Sequence, residues 1–425
     1  MQVEAIHIRP DFAQPTATAW WEVARQAGYP AALWRLPNQT EKHLIVHLDH
    51  TPAVVPVDLE ELPAGFVMSP FNNFDYGTGQ PFEAPFLRAD LHVKQAGQGW
   101  ELASPVTSRR AEELIGQVQA YRPANRPVAQ MVDDPAADQI NSVAQHRFEQ
   151  SVEEAVAAMQ QGAFRKVVLS RTKSVWFDEE PDAVALFDQL CVAYPTAFVA
   201  AVWLPDRRQV WISASPERLV SVDAAGIFRT ISLAGTQSAY DAGGRLKRTS
   251  EALWAQKEIE EQALVSRYII ECFKKIRLRE YLEEGPKTIL AGNLMHLGSH
   301  FTVDTQAVRY GQLGTVMIRL LHPTSAVCGM PRTDAFNFIN EHEGYDREFY
   351  SGFLGPVNMT PDGVTEGTES NLFVHIRCMK VEGKQATLFA GAGLTEDSDP
   401  QKEWKETEMK CQTLLSVMKS LNAGQ

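Results

Sequence analysis

A chain of 425 residues, 44% hydrophobic and 22% charged, is long enough for one large core or two domains and has the composition of a folded globular protein. Its formal net charge of -13, with no run rich in Lys and Arg, disfavours a nucleic-acid or anionic-membrane partner, whose phosphates it would repel. The five cysteines are scattered without a CxxC pair, a pattern that argues against a disulfide framework or zinc knuckle and suits buried thiols in a reducing compartment.

The N-terminal MQVEAIHIRPDFAQ lacks the apolar core of a signal peptide, and no apolar run reaches bilayer-spanning length, so a cytoplasmic location is expected. Residues 1 to about 120 alternate short strand-like pieces such as HLIVHLD (43–49) with Pro/Gly-rich turns, and FNNFDYGTGQPFEAPF (71–86) reads as a loop. The proline-containing YRPANRPVAQMVDDPAAD (121–138) is the boundary candidate, dividing residues 1–140 from residues 141–425. Beyond it, Ala144, Phe148, Val152, Val156 and Met159 keep helical spacing, and Gly162 is a plausible stop.

FRKVVLSRT (164–172) follows, with Val167, Val168 and Leu169 reading as a buried strand. A helix is predicted near 181–193, then strands AFVAAVWL (197–204), VWISASPERLV (210–220) and GIFRTISLAG (226–235). A long helix fills much of 246–282, with Leu253, Ile259, Leu264, Tyr268 and Ile269 among its apolar positions. Strands LFVHIRCMKV (372–381) and ATLFAGAG (386–393) and a helix over about 400–420 complete the chain. Helix-rich segments interrupting runs of strands imply an α+β fold with large helix-covered sheets. Neither GxGxxG nor GxxxxGK[ST] nor HExxH occurs, which leaves Rossmann, P-loop and zincin sites without support.

Four places carry possible chemistry. Lys166, at the mouth of its apolar strand, is either a snorkelling edge residue or a desolvated amine. Glu217 in SPE (215–217) is either a solvated turn residue or a carboxylate placed by the end of a strand. Glu258, Glu260 and Glu261 form an acidic cluster on the long helix, whose plain reading is a solvated face paired with Lys257 or Arg267. In EWKETEMK (403–410), Glu403, Glu406 and Lys410 share one helix face, as an ordinary ion pair or as a site for a metal beside an anion. Just before it, Gly391 and Gly393 permit close backbone approach.

In order and spacing, FRKVVLSRT, ISASPERLV, LAGT (233–236), KEIEEQALV (257–265), MHLGS (295–299), LHPTSAVCGMP (321–331), GYDREFYSG (344–352), HIRC (375–378), FAGAGL and EWKETEMK resemble the chorismate-utilising enzymes, most closely the isochorismate synthases. The resemblance covers about residues 143 to 420. It implies a four-layer αββα sandwich with the active site in a cleft, the chorismate-binding core at 141–425, and a variable N-terminal segment, residues 1–140, packed onto the same sandwich. The implied reaction is a reversible, Mg2+-dependent isomerisation of chorismate to isochorismate, with water added at ring carbon 2 and the hydroxyl lost from carbon 4.

By the same resemblance Lys166 is the general base and Glu217 the general acid, while Glu261 and Glu406 are magnesium ligands. Arg377 and Tyr350 match the residues that hold the pyruvyl carboxylate, and Lys410 the cation near the ring carboxylate. Gly235, Thr236, Gly391 and Gly393 lie in pocket-lining motifs, and His296 matches a family histidine near the substrate, with a structural histidine as the alternative. KEIEEQ departs from the common pattern and leaves Glu258 and Glu260 as alternatives for assisting Glu261.

Lys166, where anthranilate synthases carry glutamine, and Ala234, where aminodeoxychorismate synthases carry a nucleophilic lysine, point to water as nucleophile and to no amidotransferase subunit. Salicylate synthase and an inactive chorismate-binding protein are the competing readings. Either menaquinone or siderophore biosynthesis would use the product. Nothing in the sequence suggests obligate assembly, so a monomer or weak dimer is expected.

Overall fold

The computed structural model describes residues 15–423 apart from 75–81, 98, 105, 107, 124–126, 133–134, 242, 292–293 and 361–366. The stretch 1–14 and the middle of the predicted 71–86 loop lie outside the described residues, and the end of that loop is already strand, Glu83–Arg88.

Two antiparallel sheets stand face to face. The first has eleven strands, in the order Gly329–Met330, Lys166–Phe177, Gln385–Leu394, Cys378–Glu382, Gln209–Ser215, Phe198–Leu204, Ala31–Arg35, His43–Val46, Leu91–Ala96 and Gly99–Leu102, with Met131–Val132 also on Lys166–Phe177. The second has nine: Leu282–Ala291, Leu294–Asp304, Ile227–Ser238, Arg218–Val222, Ser370–Val374, Phe353–Val357, Gly65–Ser69, Glu83–Arg88 and Ala53–Pro56. The chain before residue 140 is stitched into both, because Ala31–Arg35 pairs with Phe198–Leu204 and Gly65–Ser69 with Phe353–Val357.

Alternation along single strands explains the layering. In Phe198–Leu204, Phe198, Ala200, Val202 and Leu204 pack between the sheets, while Val199, Ala201 and Trp203 face the helices outside. A strand covered on both faces reads as an unbroken apolar run. The inter-sheet layer holds Trp34, Phe66, Trp211 and Phe349, and Phe198 stacks on Phe373 of the other sheet at 4.2 Å between ring centroids. Outside the first sheet lie helices Ala17–Gln26, Arg109–Ala120, Ala183–Ala193 and Pro400–Ala423, and outside the second lie Gln256–Lys275 and Leu313–Leu321. Helix, sheet, sheet and helix make the four layers of an α+β sandwich. Helices Pro135–Gln160 and Arg332–His342 cover the edge where Lys166 sits, through Phe148, Val152, Met159, Phe336 and Ile339. The first of these helices ends where expected, and Gly162 takes φ +81° beyond it.

Three sequence expectations need correction. The runs 210–220 and 372–381 are each two strands, one in each sheet, and the chain passes between sheets at Pro216–Glu217 and again at 375–377. The long helix is shorter, Gln256–Lys275, so Leu253 precedes it and is 88% exposed. The first 120 residues also contain two helices, Ala17–Gln26 and Arg109–Ala120, each capped by a hydroxyl, Thr16 or Ser108. Among the described residues no helix is long and apolar enough to cross a membrane, and all five cysteines are buried free thiols.

Candidate active site

Between the sheets lies a cavity of about 270 Å³, lined by Lys166, Glu217, Gly235, Thr236, Glu261, His296, Tyr350, Arg377, Gly391, Gly393, Glu406 and Lys410, whereas Glu260 and Glu403, also singled out from the sequence, are not among its lining residues. Ala326 and Val327, apolar residues with no chemical signature of their own, line it too, as do Lys257 and Glu258.

The strand Lys166–Phe177 supplies one wall. Val167 and Leu169 are committed to the core under the edge helices, so the period of two turns Lys166 and Val168 to the cavity. The neighbouring strand Gln385–Leu394 pairs Gly393 with Val168 and Gly391 with Ser170, which puts both glycines on the same floor. Their missing side chains matter. A Cβ on Gly393 would lie 3.3 Å from Cε of Lys166, and one on Gly391 would lie 2.8 Å from the Tyr350 hydroxyl.

Lys166 is 4% exposed, and among the described residues its amine has neither a hydrogen bond nor an ion pair. Burial pushes its pKa down, helped by Lys410 and opposed by Glu261, Glu217 and Glu406. Glu217 stands at the first passage between sheets and is 7% exposed. Burial pushes its carboxyl up to about 7 against the pull of Lys166, Arg377 and Lys410. One cavity thus holds an amine biased toward its neutral form and a carboxyl biased toward its protonated form.

Arg377 stands at the second passage, in the left-handed region at φ +50°, and is half-buried with no protein carboxylate bonded to it among the described residues. A guanidinium left in that state is suited to an incoming carboxylate, which it can grip with two parallel bonds. Tyr350 is 3% exposed, stacks on Phe389, and has its hydroxyl pushed up to about 12 by burial, so it acts as a neutral donor. His296 Nδ1 lies 2.8 Å from the Gly235 carbonyl and must donate to it, with Thr236 Oγ1 at 3.4 Å. Burial holds this imidazole neutral, its pKa down to about 3, and its buried Nε2 has no partner among the described residues. With Nδ1 donating, Nε2 is left as an acceptor.

The last helix brings Glu406 and Lys410 together at 2.7 Å, and Lys410 also donates to the Gly391 carbonyl at 2.7 Å. Burial works to raise the Glu406 pKa, but Lys410, Lys257 and Arg377 outweigh it and keep the carboxylate ionised. Across from it, Glu261 faces the Lys257 ammonium at 4.0 Å, and that ammonium reaches Glu403 at 3.4 Å. Of the two assistants left open by the sequence, Glu258 spends its carboxylate on the Ala255 N–H at 2.6 Å, and Glu260 is exposed and bonded to Gln256.

Glu261 and Glu406, the latter ion-paired with Lys410, both face the cavity and are the two carboxylates that the family resemblance assigns to magnesium. Among the described residues no group of three or more His, Cys, Asp or Glu is arranged as a complete metal cage. Two carboxylates, with further positions left for water and substrate, would suit a hard divalent cation such as Mg2+.

Comparison with known proteins agrees with this architecture. The sequence model of a family described as chorismate binding enzyme matches residues 97–419. Isochorismate synthase EntC of Escherichia coli is 32% identical over 280 residues, covering 64% of this chain and 67% of EntC. The vibriobactin-specific isochorismate synthase of Vibrio cholerae is 28% identical over 298 residues, 70% of this chain and 71% of that protein. The solved structure of MenF, the menaquinone-specific isochorismate synthase of Escherichia coli, superposes with a TM-score of 0.71 over 95% of this chain and 91% of its own, at 21% identity, a likeness of fold.

Proposed function

Since the chain belongs to the chorismate-binding enzymes, we propose that it is an isochorismate synthase, interconverting chorismate and isochorismate. The observation that carries this reading is the presence of Lys166 and Glu217 in one cavity, with burial pushing the pKa of the amine down and that of the carboxyl up. Exchange of a hydroxyl between two ring carbons needs that combination. Neutral Lys166 takes a proton from the water that bonds to carbon 2, and protonated Glu217 gives one to the hydroxyl leaving carbon 4 as the double bonds shift. Water is consumed at one carbon and released at the other, so the reaction is an isomerisation. It runs backward when the two groups exchange roles.

Arg377 and Tyr350 hold the pyruvyl carboxylate, Lys410 the ring carboxylate, and the backbone at Gly235, Thr236, Gly391 and Gly393 lets the ring lie close to the walls. His296 Nε2 accepts a hydrogen bond from the substrate. Glu261 and Glu406 would hold Mg2+, which supplies positive charge to offset two glutamates beside a dianion. On this reading the enzyme uses water without an amidotransferase subunit, and works in the cytoplasm as a monomer or weak dimer. Its product would feed menaquinone or siderophore synthesis.

The test is to incubate the protein with chorismate and Mg2+ and resolve the products by chromatography. A fixed ratio of chorismate to isochorismate reached from either side supports the reading. Stoichiometric pyruvate and salicylate with no plateau would overturn it in favour of a lyase.

A further inference from the structure

The strand that carries Lys166 has a gap along one edge. On one side it is paired throughout with Gln385–Leu394, from Val167↔Leu394 to Trp176↔Gln385. On the other, Gly329–Met330 covers only Lys166 and Val167, and Met131–Val132 covers only Trp176 and Phe177. Just past the first of these, the edge is closed by two side chains. Arg347 Nη2 donates to the Val168 carbonyl at 2.7 Å, and the Ser170 N–H donates to Glu343 Oε1 at 2.6 Å. One side chain replaces a strand's donor and the other its acceptor.

The two are bonded to each other, Arg347 Nε to Glu343 Oε2 at 2.7 Å and Nη2 to Oε1 at 2.5 Å, with 3% and 2% of their side chains exposed. Arg347 reaches further. Its Nη1 donates to the Val327 carbonyl at 2.8 Å, and its own carbonyl accepts from the Tyr350 N–H at 2.8 Å. Val168, Val327 and Tyr350 all line the cavity, on three different segments of chain.

We infer that Glu343 and Arg347 are a positioning pair, which sets the distance between the strand of Lys166, the Val327 wall and Tyr350 without touching substrate. The inference rests on the proposed reaction for its readout. A buried ion pair is a poor way to gain stability, since apolar residues of similar volume often do as well. It is a good way to fix geometry, because the planar guanidinium holds two carbonyls and a carboxylate in one arrangement.

The experiment compares the parent with the double variant Glu343→Gln/Arg347→Met, which removes both charges together and so leaves neither buried alone. The variant is expected to melt cooperatively and still bind chorismate. Its kcat should fall about 10²-fold with KM little changed, as for a misplacement near 1 Å, and the acid limb of its pH profile should move as the surroundings of Lys166 change. A folded variant with the parent's kcat and pH profile would overturn the inference. Should the double variant fail to fold, Arg347→Lys decides. It keeps the charge pair but offers three donors on one nitrogen for the four bonds of the planar guanidinium, so lowered kcat with a displaced acid limb supports the inference and parental kinetics overturns it. A parent that never converts chorismate would instead count against the reaction.

Discussion

The N–H of Val374 donates to the carbonyl of Glu217 at 2.9 Å, and this bond fastens to each other the two places where the chain passes between sheets. The Ala214 N–H to the Arg377 carbonyl at 3.0 Å and the Ser215 hydroxyl to the Val374 carbonyl at 2.6 Å tighten the same junction. The spacing between the candidate acid and the candidate carboxylate clamp is therefore set by backbone hydrogen bonds and leaves both side chains free for substrate.

Replacing Glu217 by Gln should lower turnover by about 10²- to 10⁴-fold, the usual share of a general acid, and yet stabilise the fold at alkaline pH. The folded carboxyl titrates at about 7 against an ordinary 4.5, so the native state holds the proton more tightly than the unfolded chain. That contribution to stability is complete below the lower value and lost as pH rises through the upper one. Glutamine has nothing to lose, and its advantage above pH 7 should be on the order of 3 kcal/mol at most. Differential scanning calorimetry of both proteins in alkaline and mildly acidic buffer checks this. Equal Tm values at alkaline pH would mean the carboxyl ionises freely in the native state.

Lys166→Met keeps the length and apolar stem but removes the amine, and turnover should fall by about 10²- to 10⁴-fold with the fold intact. Parental kcat/KM should trace a bell. Activity is lost on the acid side as the depressed lysine takes up a proton, and on the alkaline side as Glu217 loses one. The residual rate of the methionine variant should keep only the alkaline loss. An unaltered bell would remove Lys166 from the chemistry.

Glu261→Gln and Glu406→Gln should each abolish Mg2+-supported turnover, and isothermal titration of the unliganded proteins with Mg2+ should show weakened or lost binding. Excess EDTA should silence the parent, and returning Mg2+ should restore it. Full activity in EDTA contradicts the assignment.

Gly391→Ala should impair binding more than folding. Its Cβ would press on the Tyr350 hydroxyl at 2.8 Å, with the Leu169 carbonyl and Ser170 Cβ both at 3.1 Å behind it. A rise in KM of about tenfold or more is expected if Tyr350 loses one good hydrogen bond to a carboxylate. A wild-type KM would show that Tyr350 does not hold the substrate there.

Much of this was legible in the residues, because period and motif order report local commitments well. Lys166 opens a strand whose first six residues are all buried, and Glu406 and Lys410 meet at the spacing that their helix dictates. Hydropathy says that a residue is buried but not in which sheet. For that reason 210–220 and 372–381 looked continuous, and Pro216 and the φ of Arg377 mark the passages only once the sheets are known. Helix Arg109–Ala120 was readable, from Ser108 as cap and Ala111, Leu114 and Val118 on one face, but the surrounding turns obscured it. Glu343 and Arg347, four residues apart, resemble any helix ion pair until tertiary contacts bury them.

The pairing of early strands with late ones also constrains how the protein is made. Ala31–Arg35 leaves the ribosome long before its partner Phe198–Leu204, and Gly65–Ser69 must wait for Phe353–Val357. Ala31–Arg35 keeps one open edge until residue 204 has emerged and Gly65–Ser69 until residue 357 has, although each has an early neighbour to pair with on its other side. Such non-local pairing slows folding and lengthens exposure to aggregation. Pulse-labelled nascent chains should therefore gain protease resistance late and in one step, and production in cells should respond to chaperone supply more than to changes at the catalytic residues.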